Sequence, residues 1–351
     1  MYGRCCFADP PEKLTRQFKI ARSNGTIQGL LRLRDMDARL AHLVVTLVGL
    51  AMLAHAAPAQ TLNGFELKDS LVPPGQILHA GPRKDGIPAI DAPKFVPPSG
   101  ATVAPGDRVL GLALNGVVKA YPLRILNWHE IVNDRFGDEP IAITYCPLCG
   151  TGIAYVARAG GRPTTFGVSG LLYNSDLLLY DRATQSLWSQ IMAQAIAGPR
   201  KGEKLTLVPL THTTWADWKA RHPDTLVLST DTGFSRDYSR DPYAGYASSS
   251  RIMFPTAAAS DRFSAKELVL GVELNGARKA YAFSELAKAL GSRPRGTLED
   301  QLAGRTLSIR FDREHRTAQA FDSSGRELPA YVAFWFAWSA FYPTAEVFVA
   351  R

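Results

Sequence analysis

The sequence predicts a β-rich α+β fold, built from two related antiparallel β halves with short helices. The main observation is an internal repeat: Val109–Leu126 (VLGLALNGVVKAYPLRIL) matches Val269–Leu286 (VLGVELNGARKAYAFSEL) at a constant offset of 160, with ten identities in eighteen positions. Each copy alternates apolar and polar residues, turns at Asn-Gly and resumes as a second strand. That pattern is typical of a β-hairpin with a type I′ turn.

The rest of the chain is arranged around this repeat. We predict one β-rich domain over residues 107–351, made of repeats 107–165 and 266–351 with an insertion at 166–265. Residues 60–106 are rich in Pro and Gly and have no sustained period. They therefore predict an extended arm that runs over the domain.

Short helices are predicted after each hairpin and in two further segments. The first two begin near Pro122 and Phe283. The segment Thr213–His222 opens with a threonine suited to cap a helix and ends before Pro223. The aromatic-rich segment Phe334–Tyr342 has large rings on every face, which indicates a buried helix.

The N-terminal region has the layout of an export signal. Leu40–Ala57 is an uncharged apolar run of 18 residues that leads into A-x-A sites. We therefore predict a signal peptide at 36–59 with the start at Met36. Residues 1–35 are then expected to be a non-native or disordered extension. The alternative is a retained membrane anchor, because the run is near the lower length limit for a span.

The charge of the chain argues against one class of partner. The formal net charge is +8, and residues 1–59 hold 8 Lys+Arg and 4 Asp+Glu, which leaves 32 basic and 28 acidic residues in the remainder. These basic residues are scattered and form no run that could follow a phosphate backbone. We expect no nucleic-acid binding. The partner is expected to be a small molecule or a protein, with the membrane involved only if the signal segment is retained.

A Cys-Pro-Leu-Cys-Gly turn, residues 146–150, lies between two β-prone runs, Ile141–Tyr145 and Ile153–Val156. Pro147 fixes φ and Gly150 can take a positive φ, so the turn directs both sulfurs toward one point. This is the pattern of the metal-binding knuckle in rubredoxins and zinc ribbons.

The same spacing also suits a dithiol redox site or a small disulfide. A thioredoxin-like site is disfavoured, because there the cysteines open a helix, whereas Thr151–Val156 continues as a strand. A structural disulfide stays open as an alternative, since export implies an oxidising compartment.

A metal held by two thiolates needs further ligands. His129, in Asn127-Trp128-His129-Glu130, lies at the end of a helix that leads into the strand carrying Cys146. The predicted ligand set is Cys146, Cys149 and His129, with Zn or Cu as the expected metal. The alternative role for His129 is to cap the helix terminus.

Further polar and aromatic residues have the inventory of a pocket. Ser169 lies in Gly-Val-Ser-Gly, one residue short of the nucleophile elbow of hydrolases, so a serine nucleophile is disfavoured. These side chains could equally satisfy turns and sheet edges. The candidate pocket residues are Glu130, Ser169, Asn174, Asp176, Trp188 and Gln190.

Five blocks in order resemble a bacterial family catalogued as domain of unknown function 3179. The blocks are NWHEIVND (127–134), TYCPLCGT (144–151), FGVSGLLYNSD (166–176), YDRATQSLWSQ (180–190) and FWFAWSAFYP (334–343). The resemblance implies an exported or membrane-attached protein and transfers no activity. After cleavage of the predicted signal peptide, the protein is expected to be periplasmic or secreted.

Two hypotheses from different classes follow. The first is an extracytoplasmic protein whose knuckle binds a metal or acts as a thiol/disulfide site. The second is a non-enzymatic binding or scaffold module in which Cys146 and Cys149 form a structural disulfide. The sequence decides neither between them nor whether the protein is an enzyme.

Overall fold

The computed structural model describes residues 61–258 and 260–351. The predicted extension (1–35) and signal peptide (36–59) lie outside the described residues. Within the described part of the chain, no helix is both long enough and apolar enough to cross a membrane.

Strands dominate the described residues, and 12% of the structure is helical. Among these residues the α-helices are α1 Leu123–His129, α2 Trp215–Arg221, α3 Phe283–Leu290 and α4 Trp335–Phe341, with 3₁₀ helices at Pro74–Gln76 and Pro98–Gly100. The strands, in chain order, are β1 Thr61–Leu62, β2 Phe65–Glu66, β3 Ile77–His79, β4 Phe95–Val96, β5 Arg108–Leu114, β6 Val117–Pro122, β7 Ile131–Phe136, β8 Glu139–Cys146, β9 Thr151–Val156, β10 Arg158–Ala159, β11 Arg162–Pro163, β12 Phe166–Tyr173, β13 Asp176–Asp181, β14 Leu187–Ser189, β15 Gln194–Ala197, β16 Leu207–Val208, β17 Thr211–Thr214, β18 Leu226–Leu228, β19 Leu268–Leu274, β20 Ala277–Ala282, β21 Arg295–Leu302, β22 Arg305–Asp312, β23 Thr317–Asp322, β24 Ala330–Phe334 and β25 Glu346–Val347.

The strands form five larger sheets, besides the two-stranded ribbons β1-β2 and β10-β11. We number the sheets in the order in which their hairpins occur. In strand order they are sheet I β17-β5-β6-β18-β4, sheet II β16-β9-β8-β7, sheet III β15-β14-β13-β12-β3, sheet IV β24-β19-β20-β25 and sheet V β21-β22-β23.

This arrangement corrects part of the predicted fold class. The β-rich α+β prediction agrees with the structure, but the sheets resemble the blades of a five-bladed β-propeller rather than two halves. A repeated hairpin specifies local pairing, whereas the number of sheets depends on how successive hairpins pack. The sequence pattern therefore predicted the hairpins correctly but not the number and arrangement of the sheets.

The two copies of the repeat form equivalent hairpins, β5-β6 in sheet I and β19-β20 in sheet IV. Residues Asn115 (φ 52°) and Gly116 (φ 74°) both have positive φ, as do Asn275 (φ 52°) and Gly276 (φ 82°). Positive φ at both central residues is what a type I′ turn requires, so the predicted turns are confirmed. The flanking strands pair with the same register in both copies.

The equivalence continues into the segment that the sequence analysis assigned to the insertion. Helix α2 packs Trp218 against Gly111, and helix α4 packs Trp338 against Gly271. A Cβ at Gly111 would lie 2.3 Å from the Trp218 ring, and a Cβ at Gly271 would lie 1.9 Å from the Trp338 ring. Each of these helices leads into a short strand, β18 or β25, that adds in parallel to the hairpin.

The predicted arm adds strands to two sheets. Strand β3 pairs with β12 of sheet III, and β4 pairs with β18 of sheet I. Sheet III, whose other strands come from the chain between the two copies, lies against sheet II. The candidate site is at the end of sheet II that faces a turn of sheet III.

Candidate functional site

The knuckle forms the predicted strand–turn–strand. Strand β8 ends at Cys146, which pairs with Thr151 at the start of β9. Gly150 has φ 61°, and a Cβ there would lie 2.9 Å from the Phe334 ring. A glycine is therefore needed both for the left-handed backbone and for the close approach of the aromatic side chain. Cys149 and Cys146 are buried and unbonded to each other.

A second turn meets the knuckle from sheet III. Asn174 and Ser175, both with positive φ, close the hairpin of β12 and β13. The Ser175 carbonyl oxygen lies 3.3 Å from the Cys149 sulfur and 3.9 Å from the Cys146 sulfur. The Asn174 side chain holds this turn in place: its amide nitrogen donates to the Ala340 carbonyl (3.3 Å), and its oxygen accepts from a backbone N–H in the chain before β19 (2.7 Å).

Asp176 completes the group. One of its carboxylate oxygens and the sulfurs of Cys146 and Cys149 lie within 4.8 Å of one another. No other His, Cys, Asp or Glu of the described residues joins this group. Asp176 Oδ2 accepts a hydrogen bond from the Ile191 N–H at 3.0 Å. Asp176 Oδ1 is buried and makes no well-aligned hydrogen bond among the described residues, although the Leu177 N–H and the two thiols lie near the carboxylate; Ser175 Oγ is also buried without a partner there. Such orphaned oxygens beside two thiols leave room for a further group to be bound.

The electrostatics of the group follow from burial. Desolvation raises the pKa of Asp176 to about 7, although the Ile191 N–H opposes the shift. Desolvation, with the charge of Asp176 second, raises the pKa of the nearby Glu130 to about 8. Burial also raises the pKa of both Cys146 and Cys149. Burial thus shifts all four groups toward their neutral forms, and a bound cation would oppose that shift.

His129 is not part of this group. Its Nδ1 lies 2.7 Å from the Pro88 carbonyl oxygen, and its Nε2 lies 2.6 Å from the Tyr238 hydroxyl. The ring is fully buried and packs against Phe234. Because both nitrogens have other partners, the predicted ligand set of two cysteines and His129 is not the one that the structure brings together.

Three of the predicted pocket residues have structural bonds. The Ser169 hydroxyl donates to the Leu178 carbonyl at 2.5 Å, inside the β12–β13 pair. The Trp188 indole N–H donates to Asp181 at 3.0 Å. Gln190 Nε2 donates to the Thr144 hydroxyl at 2.8 Å, while its buried Oε1 has no partner among the described residues.

The remaining predicted residues lie at the site. Asn174 and Asp176 belong to the turn that faces the sulfurs. Glu130 is 8% exposed and has φ 59°, a left-handed conformation that is uncommon for a residue with a side chain. No described residue hydrogen-bonds its carboxylate, which the structure buries beside Asp176.

Three residues that cover the site were not among the residues predicted from sequence. Tyr243, Tyr246 and Lys266 lie near it. Desolvation raises the pKa of Tyr246, and negative charge at Cys149 and Cys146 would add to that shift. The signal available was the length of the polar and aromatic loop that carries the two tyrosines. A long loop without secondary structure in a domain is commonly functional.

The donor set fits one of the two expected metals better. Donor atoms around tetrahedral Zn²⁺ lie about 3.3–3.8 Å apart, so an inward movement of about 1 Å would close the group on an ion. Two thiolates and one carboxylate suit Zn²⁺, whereas Cu(I) prefers soft ligands throughout. With three protein donors, one tetrahedral position would remain for water or another ligand.

Comparison with known proteins gave one match. A family model described as "Protein of unknown function (DUF3179)" matches residues 84–345. No curated protein and no solved structure matched the chain.

Proposed function

The chain belongs to the DUF3179 family, whose description states no activity, and we propose that it is an extracytoplasmic metal-binding protein. The ligands in this proposal are the sulfurs of Cys146 and Cys149 and the carboxylate of Asp176. The metal is Zn²⁺, bound with one position open to a further ligand.

One observation carries the proposal. Three metal-binding side chains from two separate hairpins place their donor atoms within 4.8 Å of one another, and all three are buried. An ionised buried carboxylate is unfavourable without a compensating charge, and Asp176 has an oxygen that no described residue satisfies. A divalent cation supplies both the charge and the missing partner.

The location outside the cytoplasm is the part of the proposal that rests on sequence alone. Its support is the apolar run with A-x-A sites in residues 36–59. Sequencing the N-terminus of the protein recovered from the periplasm or medium tests it. A mature chain beginning near residue 60 is the expected result, and an uncleaved chain in the cytoplasm would contradict it.

The metal is tested by elemental analysis of the purified full chain. We expect about one zinc per chain, and at least about tenfold less in Cys146→Ser and in Asp176→Asn. His129→Gln is the comparison variant, because it removes the third ligand of the set predicted from sequence while leaving the three ligands proposed here. Loss of metal from His129→Gln with retention in Asp176→Asn would favour the set predicted from sequence and contradict this one.

A scaffold with a Cys146–Cys149 disulfide is the second candidate. It is favoured by the direct proximity of the two thiols. Burial raises the pKa of both, and the hydrogen bond between them lowers the pKa of Cys146 and raises that of Cys149. Thiol alkylation followed by peptide mass analysis separates the two functions. Two alkylated cysteines at 146 and 149 after chelation, without reductant, support the metal site. No alkylation without reductant supports the disulfide.

A further inference from the structure

A long segment without helix or strand crosses the candidate site. Residues 229–258, which we call the cover segment, connect strand β18 to the chain before β19. Loops longer than about 12–15 residues are uncommon within a domain unless they are lids, binding loops or disordered. This one is ordered against the protein, since Tyr238 and Tyr246 are buried.

One edge of the cover segment is held by the end of helix α1. Three consecutive side chains there, those of residues 127–129, each reach a different point of the segment. The pairs are Asn127 Nδ2 to Asp241 Oδ1 at 2.8 Å, Trp128 Nε1 to the Arg240 carbonyl at 3.1 Å, and His129 Nε2 to the Tyr238 hydroxyl at 2.6 Å.

The other edge is held by a lysine just before strand β19. The Lys266 ammonium lies 2.9 Å, 3.2 Å and 3.0 Å from the carbonyl oxygens of Tyr246, Ser249 and Arg251. It also lies 3.3 Å from the centroid of the Tyr246 ring. An ammonium has three N–H donors, so each of them has a partner in the cover segment.

Between these two edges, the cover segment packs aromatic side chains against the buried cluster that contains the thiols. Tyr246 belongs to the same buried cluster as Cys146 and Cys149, and Tyr243 packs against that cluster. The segment therefore closes the site with two aromatic side chains.

We propose that the cover segment is a lid over the Cys146, Cys149 and Asp176 group, with Asn127–His129 and Lys266 as its two latches. Metal ions and small reagents reach the sulfurs when a latch opens. The Asn-Trp-His run is then a set of positioning residues, which act on the site through the lid. The lid does not depend on the proposed metal, because it covers the thiols in either case.

The rate at which a maleimide labels Cys146 and Cys149 tests the lid. The full chain is reduced and treated with chelator, and peptide mass analysis distinguishes these two cysteines from Cys5 and Cys6. Tyr238→Phe removes one latch bond, and Lys266→Met removes three. We expect labelling to be about fivefold faster in the first variant and at least about tenfold faster in the second.

Two controls separate a lid from a general loss of stability. Ser248→Ala changes a side chain that bonds only within the cover segment, to the Gly245 carbonyl, and its labelling rate should equal that of wild type. Lys279→Met removes the ion pairs from sheet IV to Asp300 of sheet V and to Glu346 of strand β25, and so destabilises the fold away from the cover segment.

The lid is overturned if the latch variants label at the wild-type rate. It is also overturned if Lys279→Met accelerates labelling as much as Lys266→Met at an equal fall in the unfolding midpoint. Because the assay uses metal-free protein, its result stands apart from that of the elemental analysis. A chain that binds no zinc can still show the accelerated labelling.

Discussion

The β8–β9 turn of the first copy and the β22–β23 turn of the second are at equivalent positions in the repeat. Their side chains differ in chemistry. Each turn closes between paired residues, Cys146 with Thr151 and Asp312 with Thr317. The second cysteine of the knuckle corresponds in position to His315. Both turns are therefore the same length, with the same register in the flanking strands.

What surrounds the two turns differs. The first faces the turn of sheet III, which the second copy lacks, and so meets Asp176. The second instead contacts sheet I: the His315 Nδ1 lies 2.8 Å from the Thr214 hydroxyl, and the guanidinium of Arg108 donates to two of the turn's carbonyls. A shared backbone therefore supplies the position of the ligands, and the inserted sheet supplies the site.

The largest difference between the copies should be in metal content. Cys149→Ser should reduce bound zinc at least about tenfold, whereas His315→Ser at the corresponding position should leave it unchanged. Elemental analysis of both variants, purified in parallel, makes the comparison. Equal loss in both would show that the second turn also holds metal, and the assignment to the first copy would be wrong.

Substitutions of the left-handed residue that ends each turn should have opposite effects on the free energy of unfolding. Gly150→Ala introduces a Cβ 2.9 Å from the Phe334 ring at φ 61°. The expected cost is about 2–4 kcal/mol in the free energy of unfolding, from backbone strain and overpacking together. Arg316 has φ 44°, and Arg316→Gly should stabilise the protein by up to about 1 kcal/mol. Urea denaturation measures both, and a neutral Gly150→Ala would contradict the packing described.

The two buried acids at the site of the first copy, Glu130 and the Asp176 of the inserted sheet, should make metal-free protein more stable at low pH. The folded pKa values of Asp176 and Glu130, about 7 and about 8, lie above the ordinary 3.8 and 4.5. The folded state thus binds these protons more tightly, and the resulting stability is full below about pH 4 and is lost as pH rises through 7 to 8.

Thermal unfolding of chelator-treated protein between pH 4 and pH 8 checks this dependence. The midpoint should fall across that range, and the fall should be smaller in Asp176→Asn, which has no carboxylate to ionise. A midpoint that rises with pH, or a slope that Asp176→Asn leaves unchanged, would show that this carboxyl is not the source.

The smallest expected effect concerns the paired tryptophans. The Trp218 N–H donates to the Thr225 hydroxyl at 3.0 Å, whereas the Trp338 N–H, with Ala345 at the corresponding position, is buried without a described partner. Ala345→Thr should stabilise the protein by about 1 kcal/mol, and Thr225→Ala should destabilise it by about 1–2 kcal/mol. Urea denaturation of the two variants decides, and effects of equal sign would contradict the correspondence.

The sequence also contains a second part of the internal repeat, which the hairpin repeat alone does not predict. The hairpin repeat has an offset of 160, but the segments WADWKARHP (215–223) and WFAWSAFYP (335–343) correspond at an offset of 120. A repeat interrupted by an inserted sheet changes its offset, so a search at one constant spacing finds only half of it. The structure places both segments against the hairpins in the same way.

The positions of two residues relative to the cysteines could not be predicted from the sequence. Asp176 was among the candidate pocket residues, but its position against Cys146 depends on how sheet III packs on sheet II. His129 is close to the cysteines along the chain, but the Pro88 carbonyl and the Tyr238 hydroxyl of the cover segment occupy its two nitrogens. Closeness along the chain was a poor guide here, because the ligating atoms come from different sheets.

The sequence by itself determined the local elements: the Asn-Gly hairpins, the strand–turn–strand of the knuckle, the short aromatic helix and the family. These depend on turn chemistry and alternation, which act over a few residues. Only the tertiary structure decided the five-sheet architecture, the meeting of Asp176 with the two thiols, and the covering of that group by residues 229–258. Those features depend on contacts between segments far apart in the chain, which no local pattern encodes.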